Sequence, residues 1–210
     1  MIFKICGLKE KDSILCCEAN HVDFFGLIFY KKSPRNISYK DAKELINFSD
    51  TLRINPVGVF VNQEISDLKD IVTYLNLQYI QLHGDESQEY INEIKKIFGI
   101  KIIKKFSIEN EKDLIKVNQI NNIDYLLFDY KPSSDELPGG NSKSFDWNLL
   151  KNAQIKLPWF VSGGINESNI KNIKKILNPN GIDLSSGVEE SLGKKSNEKI
   201  NNLLRLFYDN

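Results

Sequence analysis

The chain is poor in the residues that mark several common functions. It has two histidines, three cysteines and six prolines in 210 residues, and neither sign of charge prevails, with 28 Lys and Arg against 28 Asp and Glu. Each shortage removes a class. Two histidines, with no His-x-His, His-Glu-x-x-His or Cys-x-x-Cys spacing, supply no metal motif, so neither metal nor other cofactor is expected. Cys6, Cys16 and Cys17 are an odd set in a non-secretory context, and adjacent Cys16 and Cys17 are badly placed to bridge, so free thiols are expected. The balanced charge gives no basic face, which argues against a nucleic-acid partner. Apolar runs such as Val22–Phe29 are far too short to span a membrane, and Lys9, Glu10, Lys11 and Asp12 break any leader-like start. A cytoplasmic protein is expected.

What remains is a strong alternation. Short apolar or β-branched runs, at Ile2–Cys6, Val22–Phe29, Asn55–Val61, Tyr79–Leu82, Lys101–Phe106, Tyr125–Asp129, Trp159–Ser162 and Gly181–Leu184, read as strands. Several are apolar almost throughout, as strands covered on both faces are in parallel sheets. Between them the period becomes helical. Ile65, Leu68, Ile71, Val72 and Leu75 form one stripe, and Tyr90, Ile91, Ile94, Ile97 and Phe98 another. Ser38 and Asp41 have capping-box spacing before a third helix, and Ile200, Leu203, Leu204 and Phe207 mark a closing one. The sixth helix, near Asp146 to Lys151, has the thinnest pattern. The order contains no hairpin and no two consecutive helices.

Eight such units over 1–210 suit one (β/α)8 TIM barrel, although a doubly wound open sheet produces the same alternation. The lack of Gly-x-Gly-x-x-Gly after the first strand favours the single-domain barrel. In that fold the chemistry lies at the C-terminal ends of the strands. Cys6 ends the first strand, beside Gly7. Asp129 ends the sixth after Leu126-Leu127-Phe128, an apolar approach that raises a carboxyl's pKa toward the range of a proton donor. Arg35 follows the second strand and His83 closes the fourth. Glycine-bearing turns follow the seventh and eighth strands at Ser162-Gly163-Gly164-Ile165 and Ser185-Ser186-Gly187-Val188-Glu189. At those positions glycine lets backbone amides approach oxygen, so a phosphomonoester is the expected ligand. Plainer readings stand beside these: Cys6 as a small core residue, Asp129 as a turn cap, Arg35 as a solvated loop charge, His83 as a hydrogen-bonded structural group. His21 reads as structural or exposed, Cys16 and Cys17 as helix residues packed on the barrel, and Lys194-Lys195 as solvated charges.

Seven segments in order carry a family resemblance: "KICG" at Lys4–Gly7, "GLIFYKKSPRNIS" at Gly26–Ser38, "VGVFVN" at Val57–Asn62, "QLHGDE" at Gln81–Glu86, "FDW" at Phe145–Trp147, "SGGI" at Ser162–Ile165 and "DLSSGVE" at Asp183–Glu189. Together the chain resembles the phosphoribosylanthranilate isomerases of tryptophan biosynthesis. The resemblance implies a (β/α)8 barrel that carries out a cofactor-free Amadori rearrangement of N-(5-phosphoribosyl)anthranilate. It makes Cys6 the general base, as thiolate, and Asp129 the general acid, with Arg35 on the anthranilate carboxylate. It also puts Gly163, Gly164, Ser185, Ser186 and Gly187 around the phosphate, with His83 and Asp183 in support. A monomer is expected. One segment departs from the pattern: the family's usual "GGxGK" is here Gly139-Gly140-Asn141-Ser142-Lys143, with Ser142 in place of a glycine. The preceding Ser133 to Pro138 stretch reads as lengthened. Reduced freedom of this loop over the substrate, with the chemistry kept, is the expectation.

Overall fold

Every strand in the main sheet is parallel to its neighbours, and the first pairs with the last. In the computed structural model, which describes residues 1–133 and 135–209, β1 (Ile2–Cys6), β2 (Phe24–Ile28), β3 (Asn55–Phe60), β4 (Tyr79–Leu82), β5 (Lys101–Ile108), β6 (Tyr125–Tyr130), β7 (Trp159–Val161) and β8 (Gly181–Leu184) follow one another around a closed barrel. Closure is made where Phe3 of β1 pairs Ile182 of β8. That pairing excludes the open sheet. Ser134, in the loop after β6, lies outside the described residues.

Helices α1 (Lys11–Ala19), α2 (Tyr39–Ser49), α3 (Ile65–Leu75), α4 (Gln88–Phe98), α5 (Glu111–Val117), α6 (Asn148–Lys151), α7 (Ile170–Ile176) and α8 (Asn197–Tyr208) cover the outside. Their starts follow from local chemistry. Ser38 Oγ accepts from the Asp41 amide to open α2, and Ser87 Oγ accepts from Tyr90 to open α4, which Gly99 ends in a left-handed turn. Leu68, Ile71, Val72 and Leu75 of α3 are buried as the stripe requires. On α4, Ile91 and Ile94 are buried but Ile97 is exposed, because it lies at the edge of the stripe. The sixth helix is a single turn.

One expectation changes. The chain does contain a hairpin: after a 3-10 turn at Ser186–Val188, the antiparallel strands β9 (Glu189–Ser191) and β10 (Lys194–Lys195) form a two-stranded sheet before α8. The helix cysteines pack against the core as expected, to different depths. Cys17 is fully buried in the core between sheet and helices, whereas Cys16 is half-buried and faces Asn197 and Asn201 of α8. All three thiols are free. His21 is exposed, with φ +57 after α1.

Inside the barrel, a second, smaller core is built from Phe24, Val57, Ile103, Leu127 and Phe160. These inward side chains plug the N-terminal half of the barrel. Side chains alternate across a strand, so the next inward positions toward the mouth are Gly26, Val59, Lys105, Asp129 and Ser162. The interior therefore changes from apolar to polar along the barrel axis, and the polar half is the half that opens to the loops.

Candidate active site

The polar half brings together six of the sequence-predicted residues, Ser185 among them. Cys6, Arg35, His83, Asp129 and Asp183 line one tight cavity of about 60 Å³, across which Leu137–Gly140 lie as a cover. Ile28, Val59 and Val61 give it one apolar side, and Tyr30, Ser33, Gln81 and Ser162 add polar groups to the rest. The apolar side suits an aromatic ring. Cys6 has room because its strand neighbour is Gly26: a Cβ there would lie 2.7 Å from Cys6 Sγ.

Both candidate proton carriers are buried. Burial lifts the Asp129 carboxyl to about 6, against the opposing pull of Lys105 and of the Tyr130 amide, which donates to Oδ1 at 2.8 Å. His83 Nε2 lies 3.6 Å from Asp129 Oδ2. Burial first, and Lys105 next, hold this imidazole well below its ordinary pKa, so it stays neutral near pH 7, its Nδ1 paired with Gln81 Nε2 at 2.7 Å. Cys6 departs from expectation. Burial pushes its thiol up, and Lys4 and Lys195 only partly draw it back, so the protein alone keeps it protonated at neutral pH.

Lys4 is the group the sequence reading passed over. It is fully buried on the same inward face as Cys6, two residues back, and its Nζ lies 2.8 Å from Asp183 Oδ1. Burial lowers its pKa, but Asp183 and Cys6 outweigh that and raise it, so the ammonium persists inside the barrel. The signal was present: a lysine at alternate spacing from a strand-end cysteine, in an otherwise apolar strand.

Arg35 is no solvated loop charge. It is 2 % exposed, and its fork is held by Glu189, with Nε to Oε1 at 2.7 Å and Nη2 to Oε2 at 2.8 Å. Nη2 also donates to the Gly140 carbonyl. Lys195, read from sequence as solvated, is buried and pairs with Glu189 at 2.7 Å while donating to the Ser185 carbonyl. Lys194 alone fits the solvated reading; it pairs on the surface with Glu190. The hairpin β9–β10 thus exists to carry Glu189 and Lys195 under the mouth. Burial pushes Glu189 up, yet Arg35 and Lys195 outweigh it and hold the carboxyl below its ordinary range.

The turns after β7 and β8 meet at a second small cavity beside the first, lined by Lys143, Ser162, Gly163, Gly164, Ser185 and Ser186 among others. Gly163 and Gly164 both have positive φ, +87 and +62, an arrangement only glycine adopts twice running without strain. A Cβ on Gly164 would also lie 2.7 Å from the Lys143 backbone. Gly187 does not line this cavity; it lies against the Ile165 carbonyl, too close for any side chain, and so locks the two turns together. Ser142, at the departure from the "GGxGK" pattern, adopts φ +58, the conformation that a glycine would take freely. Ser142 holds this left-handed conformation at the cost of local strain. Among the described residues no group of three His, Cys, Asp or Glu is placed to hold a metal ion.

Residues 3–205 match the family model described as PRAI, N-(5'phosphoribosyl)anthranilate (PRA) isomerase. The chain belongs to that family. It is 35% identical over 199 residues to the N-(5'-phosphoribosyl)anthranilate isomerase of Paramagnetospirillum magneticum, covering 94% of this chain and 92% of that one. The phosphoribosyl anthranilate isomerase of Thermotoga maritima matches at TM-score 0.88 and 30% identity over the whole of both chains, and monomers generated from that dimeric enzyme match at 0.83. A phosphoribosyl anthranilate isomerase solved with reduced 1-(o-carboxyphenylamino)-1-deoxyribulose 5-phosphate matches at 0.84 and 29% identity, again over both full chains. Membership in the family makes the chain an isomerase of tryptophan biosynthesis. No helix among the described residues is long and apolar enough to cross a membrane.

Proposed function

We propose that this chain converts N-(5-phosphoribosyl)anthranilate to 1-(2-carboxyphenylamino)-1-deoxyribulose 5-phosphate in the cytoplasm, as a monomer, with Asp129 as general acid and Cys6 as general base. The observation that carries the reading is the pair itself: a carboxyl raised to about 6 and a buried thiol in one cavity, next to glycine turns fit for a phosphate. Asp129 gives its proton to the ribose ring oxygen as the bond from C1′ to that oxygen breaks, and the amine lone pair forms C1′=N⁺. Cys6 then takes the C2′ hydrogen, and its electrons move to C1′=C2′ and neutralise the nitrogen. Loss of the enol proton and protonation at C1′ give the ketone. No electrons leave the substrate.

The raised thiol fits this order. The protein's Lys4 and Lys195 bring Cys6 part of the way, and the substrate's own iminium, created one step earlier, adds the nearby positive charge that stabilises a thiolate. The base is therefore strengthened when the C2′ hydrogen has become acidic. Arg35 remains the group for the anthranilate carboxylate through the Nη1 edge that Glu189 does not use. Gly163, Gly164, Ser185 and Ser186 hold the phosphate, joined by Lys143. His83 and Gln81 form the wall behind Asp129.

Turnover is read as loss of the substrate's anthranilate fluorescence. Working catalyst needs Asp129 protonated and Cys6 ionised, which is the reverse of their preferences. The two proton counts are equal, so kcat/KM is expected to be flat between the two pKa values. Below about pH 6 it falls, because Asp129 holds its proton in every state and the thiolate becomes scarcer. Above the raised thiol pKa it falls again as Asp129 has no proton left. A rate that keeps rising as pH drops through 6, or a well-folded protein without turnover, contradicts the reading. Light scattering tests the monomer; a dimer peak would contradict it.

A further inference from the structure

Next to the reaction pocket lies a larger cavity, of about 520 Å³, that the proposed reaction does not use. It opens beside β5 and shares His83, Val61 and Pro138 with the pocket around Cys6 and Asp129. Four lysines reach it, Lys104, Lys105, Lys116 and Lys131. Two of these are spent. Lys104 is held by Glu86 Oε2 and the Gly84 carbonyl, both at 2.7 Å, and Lys131 by Glu109 at 2.6 Å.

Lys105 is different. It points inward on β5 in line with Ile103, is only 7 % exposed, and among the described residues its ammonium has no hydrogen bond and no ion pair. Its Nζ is not one of the buried atoms left without a partner, so the mostly buried side chain delivers its charge to the open space of the cavity, where an acceptor can meet it. The carboxyls around the cavity are otherwise engaged. Glu86 also accepts from the Asn62 and Gly84 amides, and Asp113 accepts from the Glu109 and Asn110 amides. Asp85 is on the exposed rim. Asp129 is across the β5–β6 pair, one inward position further along.

We propose that this cavity is an anion subsite, anchored by the Lys105 ammonium, for a small molecule bearing a carboxylate or phosphate group. Resting on the reading of Asp129 as the acid, its occupancy is felt at the reaction: the ammonium draws the Asp129 proton away, and an anion seated on Lys105 cancels that pull. The charged and titratable groups that face the pair are His83 from β4, Lys4 from β1 and Asp183 from β8. Lys104 comes from β5 itself, Asp85 and Glu86 from the turn after β4, Asp113 and Lys116 from α5, and Lys131 from the loop after β6. Of these, Lys105 is the largest charge acting on Asp129.

The test has two arms. Crystals of the full chain soaked in bromide are expected to show an anomalous peak beside Lys105 Nζ that is missing in Lys105→Met. A peak elsewhere only, or none, overturns the subsite whatever the enzyme's activity. In the second arm, kcat/KM profiles are measured with and without acetate at constant ionic strength. Acetate is expected to move the lower limb of the wild type upward by on the order of one pH unit, and Lys105→Met to show the raised limb without acetate and no further response. An acetate response that survives in Lys105→Met, or a wild-type limb that does not move, overturns the link to Asp129. Thermal melting separates this from a structural role. A lysine that holds the fold would melt lower when replaced, whereas Lys105→Met is expected to melt higher. A lower melting temperature would also count against the proposal.

Discussion

Cys6→Ala and Asp129→Asn are each expected to lower kcat by about a thousandfold, while changing the affinity for the reduced product analogue only a few-fold. Each substitution removes one proton carrier and leaves Arg35 and the phosphate turns in place. The two differ in stability. In the folded protein Asp129 titrates near 6, above its unfolded value, so it binds its proton more tightly folded than unfolded. Its contribution is therefore most favourable below the unfolded pKa, near 4, and is lost as pH rises through about 6. At pH 7 a buried, ionised Asp129 destabilises the fold. Asp129→Asn should thus be more stable than the wild type by about 2 kcal/mol at pH 7, with the gain vanishing near pH 4. Urea denaturation at the two pH values measures it. An enzyme that becomes inactive and sturdier with one substitution has been carrying that carboxyl for its chemistry.

The second large effect is expected at Lys4. Lys4→Met removes the partner of a 5 %-exposed Asp183, leaving a carboxyl inside the barrel without its cation. Breaking a buried pair from one side costs about 3–5 kcal/mol. Activity should fall as well, because Lys4 is the largest charge drawing the Cys6 thiol toward its ionised form. The two consequences are separable. Lys4→Met combined with Asp183→Leu should recover much of the stability, since an apolar pair of similar size fills the space without a stranded charge. It should not recover turnover, and alkylation of Cys6 by iodoacetamide should need a higher pH than in the wild type. If the double variant regains full activity, Lys4 acts only through packing.

The barrel was legible because parallel strands covered on both faces leave nearly unbroken apolar runs, and all eight runs became strands with ends moved by two residues or fewer. Closure was not. Whether β1 pairs with β8 depends on contacts about 180 residues apart, such as Phe3 with Ile182, and no local pattern records that. The hairpin β9–β10 escaped for the opposite reason: strands of three and two residues carry no period to detect. Cys6 and Asp129 could be found by position alone, as strand ends facing one mouth. Their proton affinities could be found only in part. The apolar run before Asp129 foretold its raised pKa, but the burial that outweighs Lys4 at Cys6 depends on how the whole mouth packs. Lys195 looked like a surface charge because its partner, Glu189, is drawn under the mouth by Arg35, 154 residues away in sequence.

The geometry of proton transfer can be seen directly in a crystal structure of this protein with the reduced product bound. Cys6 Sγ should lie in contact with the substrate's second ribose carbon, with the Asp129 carboxyl within hydrogen-bond reach of the oxygen released from the ring and the phosphate on the amides of Gly163 and Gly164. A ligand whose second carbon is turned away from Cys6, or whose released oxygen meets a group other than Asp129, would contradict the assignment of base and acid.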